Sequence, residues 1–238
     1  MQYTTDVRII RVMCTGRVDP TMVADAFIQG ADGMMVVGCH FGDCHYISGN
    51  YQAKVKIEMA ARVLDTVGLN RDRVSFVQCS GAEGDRFVAL VNAFAKSMRD
   101  LGPLGTGDRV PLPKLKDKLF VAKTALAKEK LRWVVGKFTE FYDRSNKYGE
   151  RFTEHEMWRT LDTIVMDDVM TYEIMAELEK GAAAAKELAG RLELPPPFVL
   201  RYLLALQRRA FVRMPGIAAT SPPSALLPEG ERNPDEHE

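Results

Sequence analysis

The sequence lacks a long hydrophobic run and a net charge. No apolar stretch in its 238 residues approaches the ~18 that a membrane-spanning helix needs, and no charged-then-apolar leader opens the chain. The 32 basic and 32 acidic side chains cancel, which argues against a dedicated nucleic-acid surface over the whole protein. We therefore expect a cytoplasmic protein with no membrane span and no nucleic-acid partner.

Cysteine is also scarce, and the four that occur are Cys14, Cys39, Cys44 and Cys79. Because thiols stay reduced in the cytoplasm, metal ligation or thiol catalysis explains them better than two disulfides. Cys39 and Cys44 have four residues between them in a turn-rich segment, which is the local spacing of plant-type ferredoxins around a [2Fe–2S] cluster. Two inert thiols are the alternative interpretation of this pair.

The first hundred residues alternate strand and helix patterns. The strands are expected at residues 7–13, 34–37 and 73–78, and the helices at residues 21–29, 51–67 and 85–101. Three strand–helix repeats predict right-handed crossovers and a parallel sheet. The fold class is therefore α/β, with a small parallel sheet of the flavodoxin or Rossmann kind.

Capping residues mark where these helices begin. Asp19 precedes Pro20, and this pair predicts the start of the first helix. Asn50 is the expected cap of the second helix, and Gly68 is its expected C-terminal stop. Ser80 and the glutamate three residues later have the spacing of a capping box before the third helix.

All four cysteines fall in loops that follow predicted strands. In a parallel sheet such loops emerge at one edge, so we expect the four thiols to meet there and to share a metal or iron–sulfur site. Gly38, Gly42 and Gly81 would let backbone N–H groups approach the sulfurs. Arg17 could offset the charge of a cluster or form a surface ion pair. His40 and His45 are expected to form hydrogen bonds or to be exposed at the surface, rather than to act as Rieske-type ligands.

The remaining sequence predicts a mainly helical region. A glycine-rich break at residues 102–107 indicates a boundary after a domain at 1–105, and a helical connector is expected at 106–166. Within it, residues 112–142 form a helical pattern whose first half is surrounded by lysines. This lysine-rich face is either a solvated helix surface or a docking arm for another protein of a complex.

From residue 167 the pattern predicts a winged helix-turn-helix at 167–216. Its helices are expected at residues 172–178, 183–192 and 196–209, with a wing that begins at 210–214. Seven basic and five acidic residues lie between Tyr172 and Pro215, which is less basic than DNA readers usually are. We expect a protein-docking or dimerisation module, with DNA binding as the alternative, and a disordered tail at 217–238.

Several long motifs in this order closely resemble the delta, iron–sulfur subunit family of methyl-viologen-reducing hydrogenase. They are residues 9–20, 30–33, 38–51 and 82–84. The resemblance covers a little under half of the chain. It implies a [2Fe–2S] subunit that relays electrons between an oxidoreductase module, such as a hydrogenase or formate dehydrogenase, and a flavin-containing subunit similar to heterodisulfide reductase. Similar subunits occur in other anaerobic complexes, including class II benzoyl-CoA reductase assemblies.

The sequence departs from this family at its start and at Cys79. Family members usually open with a further strand that carries a Cys-x-x-Cys pair. They more often have a small or aliphatic residue where this chain has Cys79. Either Cys79 replaces a lost ligand or the true start lies upstream, and we favour the upstream start because a sheet without its first strand leaves an apolar edge uncovered. Cys14, Cys39 and Cys44 stand at family positions.

The leading hypothesis is thus a non-catalytic electron-transfer subunit of a hetero-oligomer. The loops contain no Ser/His/Asp arrangement, no phosphate-cradling glycine motif and no paired carboxylates, so we expect no substrate chemistry in them. A metal-sensing winged-helix regulator is the alternative from another class. A structural zinc protein with four thiolate ligands is a third possibility.

Overall fold

The structure is a computed structural model that describes residues 2–143, 149, 153–214, 223–228 and 232. The chain divides into two compact units, Met1–Met166 and Asp167–Glu238. One helix contributes residues to both units, because it begins at Glu154 and ends at Glu179. None of the helices in the described ranges combines the length and the hydrophobicity that crossing a membrane requires.

The first unit is an α/β arrangement in which helices predominate. Its elements are α1 (Pro20–Ile28), β1 (Met34–Gly38), α2 (Gly49–Thr66), β2 (Val74–Gln78), α3 (Gly84–Leu101), α4 (Leu112–Ala127), α5 (Glu129–Asp143) and the first part of α6 (Glu154–Glu179). The second and third predicted strands and the three predicted helices between residues 20 and 101 are confirmed, with ends shifted by one or two residues.

The two strands of this unit pair in parallel. Their register runs from Met34 opposite Val74 to Gly38 opposite Gln78. Helix α2 forms the crossover between them and packs against both strands. The carboxyl ends of β1 and β2 therefore lie side by side, and the residues that follow Gly38 and Gln78 begin two neighbouring loops.

The predicted first strand, residues 7–13, is wrong: these described residues form no strand. The side chains of Ile10 and Met13 are 79% and 80% exposed, and Ile9 is exposed as well. The β-branched composition of this segment favours extended backbone, but a strand exists only where a neighbouring strand accepts its hydrogen bonds. The described sheet of this unit has only the two strands β1 and β2.

The hydrophobic core of the first unit lies between helices. Helix α1 packs against α2 and α4, and α2 also packs against α4 and α5. Fully buried apolar side chains fill these contacts, among them Phe27, Ile57, Met59, Leu64, Leu115 and Leu119. The helices between residues 112 and 143 therefore belong to the same compact unit as the sheet.

The N-cap of α1 is the residue predicted from the sequence, whereas the N-cap of α2 is not. Asp19 is the N-cap of α1, and its carboxylate accepts a 3.0 Å hydrogen bond from the N–H of Thr21, as expected. The cap of α2 is Ser48, so the prediction that Asn50 caps this helix is wrong. Gly68 follows the end of α2 with a φ of +104°, a conformation that glycine adopts without strain.

A buried ion pair fixes the loop between α3 and α4. Arg73 Nε lies 2.9 Å from Asp108 Oδ1, and both side chains are fully buried. The guanidinium also donates to the carbonyl oxygens of Asp32, Gly102 and Pro103 at 2.8 to 3.1 Å. Since every charged atom of this pair faces a partner, the loop at 102–108 is held against the start of β2.

The second unit contains the end of α6 and a small antiparallel sheet. Its further elements are β3 (Ala183–Ala184), α7 (Ala185–Leu192), α8 (Pro196–Arg208), β4 (Val212–Arg213) and β5 (Pro223–Leu226). The strand order is β3-β5-β4. The residues of α8 expected to face inward are buried (Val199, Tyr202, Leu203, Leu206) or half-buried (Phe198).

Strand β5 lies within residues 217–238, where the sequence predicted a disordered tail. Its central Ser224 is 1% exposed and pairs with Ala183 of β3. Proline and serine in this stretch favour a loop locally, and the strand forms because β3 and β4 accept it from both sides. The rest of the predicted tail, apart from 227, 228 and 232, lies outside the described residues.

Candidate functional site

Three of the four thiols come together at the carboxyl edge of the parallel sheet. Cys39 and Cys44 lie in the loop between β1 and α2, and Cys14 precedes a short turn, Thr15–Arg17, that packs against α2. The thiol of Cys44 forms hydrogen bonds with the thiols of both Cys39 and Cys14. The structure thus joins sulfurs from two segments that are more than twenty residues apart in the sequence.

Two glycines make this approach possible, and the sequence reasoning missed both. A Cβ atom on Gly49, the first residue of α2, would collide with the Cys14 sulfur and would lie 3.2 Å from the Cys44 sulfur. A Cβ on Gly16 would lie 2.8 Å from the carbonyl oxygen of Gly49. Glycine at both positions therefore lets the Cys14 turn contact the start of α2. The sequence feature that could have identified these two glycines is that each lies within five residues of a cysteine.

The surroundings of Cys44 favour its thiolate form. Burial alone would raise the pKa of this thiol, but N–H groups of Tyr46, Asn50 and Gly49 and the thiol of Cys14 donate hydrogen bonds and lower the pKa below its ordinary value. The N–H groups of Gly49 and Asn50 belong to the first turn of α2, where backbone donors have no partner within the helix, and that of Tyr46 lies in the loop just before it. These surroundings therefore favour binding of a soft cation by the Cys44 sulfur.

The pKa of the Cys39 thiol is shifted in the opposite direction. Burial raises its pKa, and the neighbouring negative charge of Cys44 and the hydrogen bond between the two thiols raise it further. Two thiolates this close repel each other, so the second proton leaves reluctantly unless a cation is present. The pair thus has the electrostatics of a site that gains stability from a positive charge between its sulfurs.

Cys79 lies close to this group in the chain topology, but its thiol is directed elsewhere. The N–H of Cys79 donates to the carbonyl oxygen of Gly38 at 2.8 Å, which continues the pairing of β1 and β2 by one residue. Its sulfur lies 3.6 Å from the carbonyl oxygen of Ser80 and 3.5 Å from that of Glu83. Cys79 thus lies at the predicted carboxyl edge of the sheet, but its thiol is bound to the turn that follows it.

The other predicted residues surround this edge. His40 binds Glu83, with 2.6 Å between Nε2 and Oε2, so its contact is a hydrogen bond as expected. Gly42 has a φ of +92°, and a Cβ on Gly38 would lie 3.0 Å from the Phe76 ring. Arg17 is exposed, three residues after Cys14. His45 is exposed, and its ring contacts that of Tyr46 edge to face.

The sequence predicted that Asn50 caps α2, but its buried side chain has another role. Its amide nitrogen donates to the carbonyl oxygens of His40 at 2.6 Å and Cys39 at 3.3 Å. It therefore ties the first cysteine of the loop to the helix that begins after the second. Asparagine near the start of a helix is typical of an N-cap, which is why the sequence predicted one. Nothing in the sequence pattern indicates the longer-range bond to the Cys39 loop.

The donor chemistry of the three thiols fits a soft metal centre, because thiolates bind zinc, copper(I) and iron–sulfur clusters. In the described part of the chain, no three His, Cys, Asp or Glu side chains are spaced as they would be around a bound metal ion. The thiols of Cys39 and Cys14 are each hydrogen-bonded to that of Cys44. The set of four cysteine ligands therefore stays a prediction.

The fold and the thiols define a class of protein: an α/β unit with cysteine-bearing loops at the carboxyl edge of a parallel sheet. The sequence model of the family described as methyl-viologen-reducing hydrogenase, delta subunit, matches residues 1–102. The vhc iron-sulfur subunit of the F420-non-reducing hydrogenase of Methanococcus voltae is 42% identical over 103 residues, which cover 43% of this chain and 72% of that protein.

Two further comparisons place the same stretch in proteins of different length. The iron-sulfur subunit of the F420-non-reducing hydrogenase of Archaeoglobus profundus is 41% identical over 101 residues, or 42% of this chain and 74% of that protein. One chain of the ferredoxin/F(420)H(2)-dependent CoB-CoM heterodisulfide reductase of Methanosarcina acetivorans is 41% identical over 106 residues, which span 44% of this chain but only 13% of the relative. The chain therefore belongs to the family of the methyl-viologen-reducing hydrogenase delta subunit.

Proposed function

We propose that this chain is an iron–sulfur electron-transfer subunit of a multi-subunit oxidoreductase complex. Cys14, Cys39, Cys44 and Cys79 are the proposed ligands of a [2Fe–2S] cluster. The observation that carries the proposal is the contact of three thiols from two segments beside the N-terminus of α2. The names of the relatives, iron-sulfur subunits of hydrogenases, support it.

When bound, such a cluster would supply one-electron transfer. The chain's own residues would provide its environment. The N–H groups of Tyr46, Gly49 and Asn50 favour the thiolate form of Cys44. Gly38 and Gly42 would let backbone N–H groups approach the sulfurs of a bound cluster. Arg17 would offset the negative charge of the cluster. No side chain in this set is needed to convert a substrate, so the role we propose is non-catalytic.

The partners we propose are an electron-donating oxidoreductase subunit and a flavin-containing subunit similar to heterodisulfide reductase. The supporting observation is that a stretch similar to residues of this chain forms 13% of a much longer heterodisulfide reductase chain. In two such relatives the similar stretch and the rest of the heterodisulfide reductase subunit belong to one polypeptide. We propose that this chain has the same kind of neighbour, in a cytoplasmic complex of an anaerobe. The complex would be of hydrogenase, formate dehydrogenase or benzoyl-CoA reductase type.

For the second unit we propose a winged-helix module that docks onto protein. The order helix, strand, two helices and two strands, with β5 between β3 and β4, supports the winged helix. Helix α8 exposes Leu200 and Leu204, at 39% and 42%. Apolar side chains on the face that would enter a DNA groove favour contact with protein.

Anaerobic purification of the full chain tests the proposal. We expect visible absorbance of an iron–sulfur chromophore with about two irons and two sulfides per chain. The native complex isolated in the same way should contain a flavin-bearing subunit identified by peptide mass spectrometry. Colourless protein with one zinc per chain would reject the electron-transfer function.

A metal-sensing transcriptional regulator is the second candidate function, and the element order of the second unit is the observation that favours it. Arg201 stacks on the Tyr202 ring at 4.9 Å, and Arg208 is exposed at the end of α8. Selection of bound sequences from a random DNA library, at physiological salt, distinguishes the two functions. Enrichment of one sequence would favour the regulator, and binding without sequence preference or no binding favours the protein-docking module.

A further inference from the structure

The two loops that follow β1 and β2 are joined by one side-chain bond. His40 lies in the first loop, directly after Cys39, and Glu83 ends the second loop before α3 begins. The distance between His40 Nε2 and Glu83 Oε2 is 2.6 Å, and each side chain is 33% exposed. The bond therefore links the segment that carries Cys39 to the segment that carries Cys79.

The same carboxylate shapes the turn around Cys79. Glu83 Oε2 accepts a 2.7 Å hydrogen bond from the N–H of Ser80, and the N–H of Glu83 donates to the Ser80 carbonyl oxygen at 3.1 Å. The hydrogen bond from Ser80, followed by that from His40, lowers the pKa of Glu83 to about 2, so this carboxylate is ionised at neutral pH. The turn from Cys79 to Glu83 is thus closed by its own last side chain.

The Cys79 thiol lies inside this closed turn. Its sulfur is within 3.6 Å of two carbonyl oxygens of the turn, those of Ser80 and Glu83, and Cys79 is only 9% exposed. At the other end, the His40 carbonyl oxygen accepts from the buried amide of Asn50. His40 is therefore fixed to α2 through its backbone while its ring binds the second loop.

We propose that Glu83 is a positioning residue for the cysteine loops. Its carboxylate keeps the 79–83 turn closed over the Cys79 thiol and fixes that turn to the Cys39 loop through His40. The use of these thiols for a cluster rests on the proposed function. The positioning itself is a property of the metal-free chain, so the two can be tested separately.

The test is alkylation of the reduced, metal-free full-length chain with N-ethylmaleimide, followed residue by residue with peptide mass spectrometry. We expect Cys79 in Glu83→Ala to react about three- to tenfold faster than in the wild type. The variant lacks the carboxylate whose hydrogen bonds with Ser80 and His40 keep the turn closed over the Cys79 thiol. The effect is moderate because this carboxylate is partly exposed. Cys14, which does not contact Glu83, should react at an unchanged rate. Glu83→Gln, which can still accept from Ser80, should restore part of the protection.

The partner side of the bond gives an independent measurement. His40→Ala should accelerate alkylation of Cys79, and the double variant should be no faster than Glu83→Ala, because both changes break the same bond. Asp85→Asn removes another carboxylate from the first turn of α3 and is the matched control, with an expected rate equal to the wild type. Unchanged alkylation of Cys79 in both Glu83→Ala and His40→Ala would overturn the positioning role.

Other outcomes separate the two proposals. If Glu83→Ala does not fold, as judged by circular dichroism, Glu83→Gln and His40→Ala decide the matter. Equal acceleration at all four cysteines would indicate general loosening and would also overturn the positioning role. A wild-type chain that binds no iron, yet shows selective exposure of Cys79 in the variants, would reject the proposed function and support the role of Glu83.

Discussion

The side-chain amide nitrogen of Asn50 lies 2.6 Å from the carbonyl oxygen of His40 and 3.3 Å from that of Cys39. Asn50 is fully buried, so water cannot replace these bonds if its side chain is removed. We predict that Asn50→Ala lowers the free energy of unfolding by about 1–3 kcal/mol. Urea denaturation of the metal-free chain, followed by circular dichroism, measures this difference.

Asn92 provides the control for this change. It lies on the exposed surface of α3 and accepts one hydrogen bond, from the N–H of Thr4. Asn92→Ala should change the free energy of unfolding by no more than about 0.5 kcal/mol. Equal effects of the two substitutions would contradict the role assigned to the buried amide.

The contact between Gly49 and the Cys14 sulfur gives a second prediction. Gly49→Ala places a methyl group where the structure has that sulfur, so the Cys14 turn must move away from α2. We expect the variant to lose about 1–3 kcal/mol of stability and to bind no iron after anaerobic reconstitution. Gly190→Ala in α7, where a Cβ meets nothing within 4 Å, should instead gain about 0.5–1 kcal/mol. Iron retained by Gly49→Ala would contradict the geometry.

The third prediction concerns the ligands themselves. If all four cysteines bind the cluster, serine at Cys44 and serine at Cys79 should each remove most of the visible absorbance and most of the bound iron. Cys44→Ser tests the thiol whose pKa is lowered by backbone N–H groups, and Cys79→Ser tests the thiol bound to its own turn. Full iron content in Cys79→Ser, with loss in Cys44→Ser, would remove Cys79 from the ligand set. Metal analysis and absorbance on the same samples provide the measurement.

Much of the first unit could be predicted because its signals are local. The apolar run at 34–37 and the alternation at 73–78 gave β1 and β2, and Asp19 with Pro20 gave the start of α1. Burial of Val55, Met59 and Val63 follows from their spacing on one helix face. The topology of strand, helix and strand then placed the cysteine loops at one edge.

The remaining features depend on contacts between distant residues, which a single sequence does not reveal. Residues 7–13 have strand composition, but a strand needs a partner, and no strand of the described sheets pairs with them. Asn50 was assigned as a cap, although its bonds reach back across the loop to Cys39. The direction of the Cys79 thiol depends on the turn closed by Glu83, and neither residue carries that information alone.

Tyr172 in the second unit gives a prediction for alkaline pH. Burial, followed by the nearby charge of Asp168, raises its pKa to about 12 against the opposing effect of Arg209. The unfolded chain releases this proton near pH 10 and the folded chain near 12, so folding stability falls as pH rises through that window. Tyr172→Phe should lack this part of the pH dependence. Absorbance titration of tyrosinate and thermal unfolding between about pH 9 and about pH 12 measure both effects.

The buried pair Arg73–Asp108 gives the last prediction. Asp108→Asn keeps a side chain of the same shape but leaves the Arg73 guanidinium charged and uncompensated at a position with no solvent exposure. We expect a loss of about 3–5 kcal/mol in the free energy of unfolding. Asp6→Asn breaks a pair of similar length with Arg99, at 2.9 Å on the exposed surface, and should cost no more than about 1 kcal/mol. Urea denaturation of both variants tests the difference, and similar losses would mean that burial does not decide the strength of these pairs.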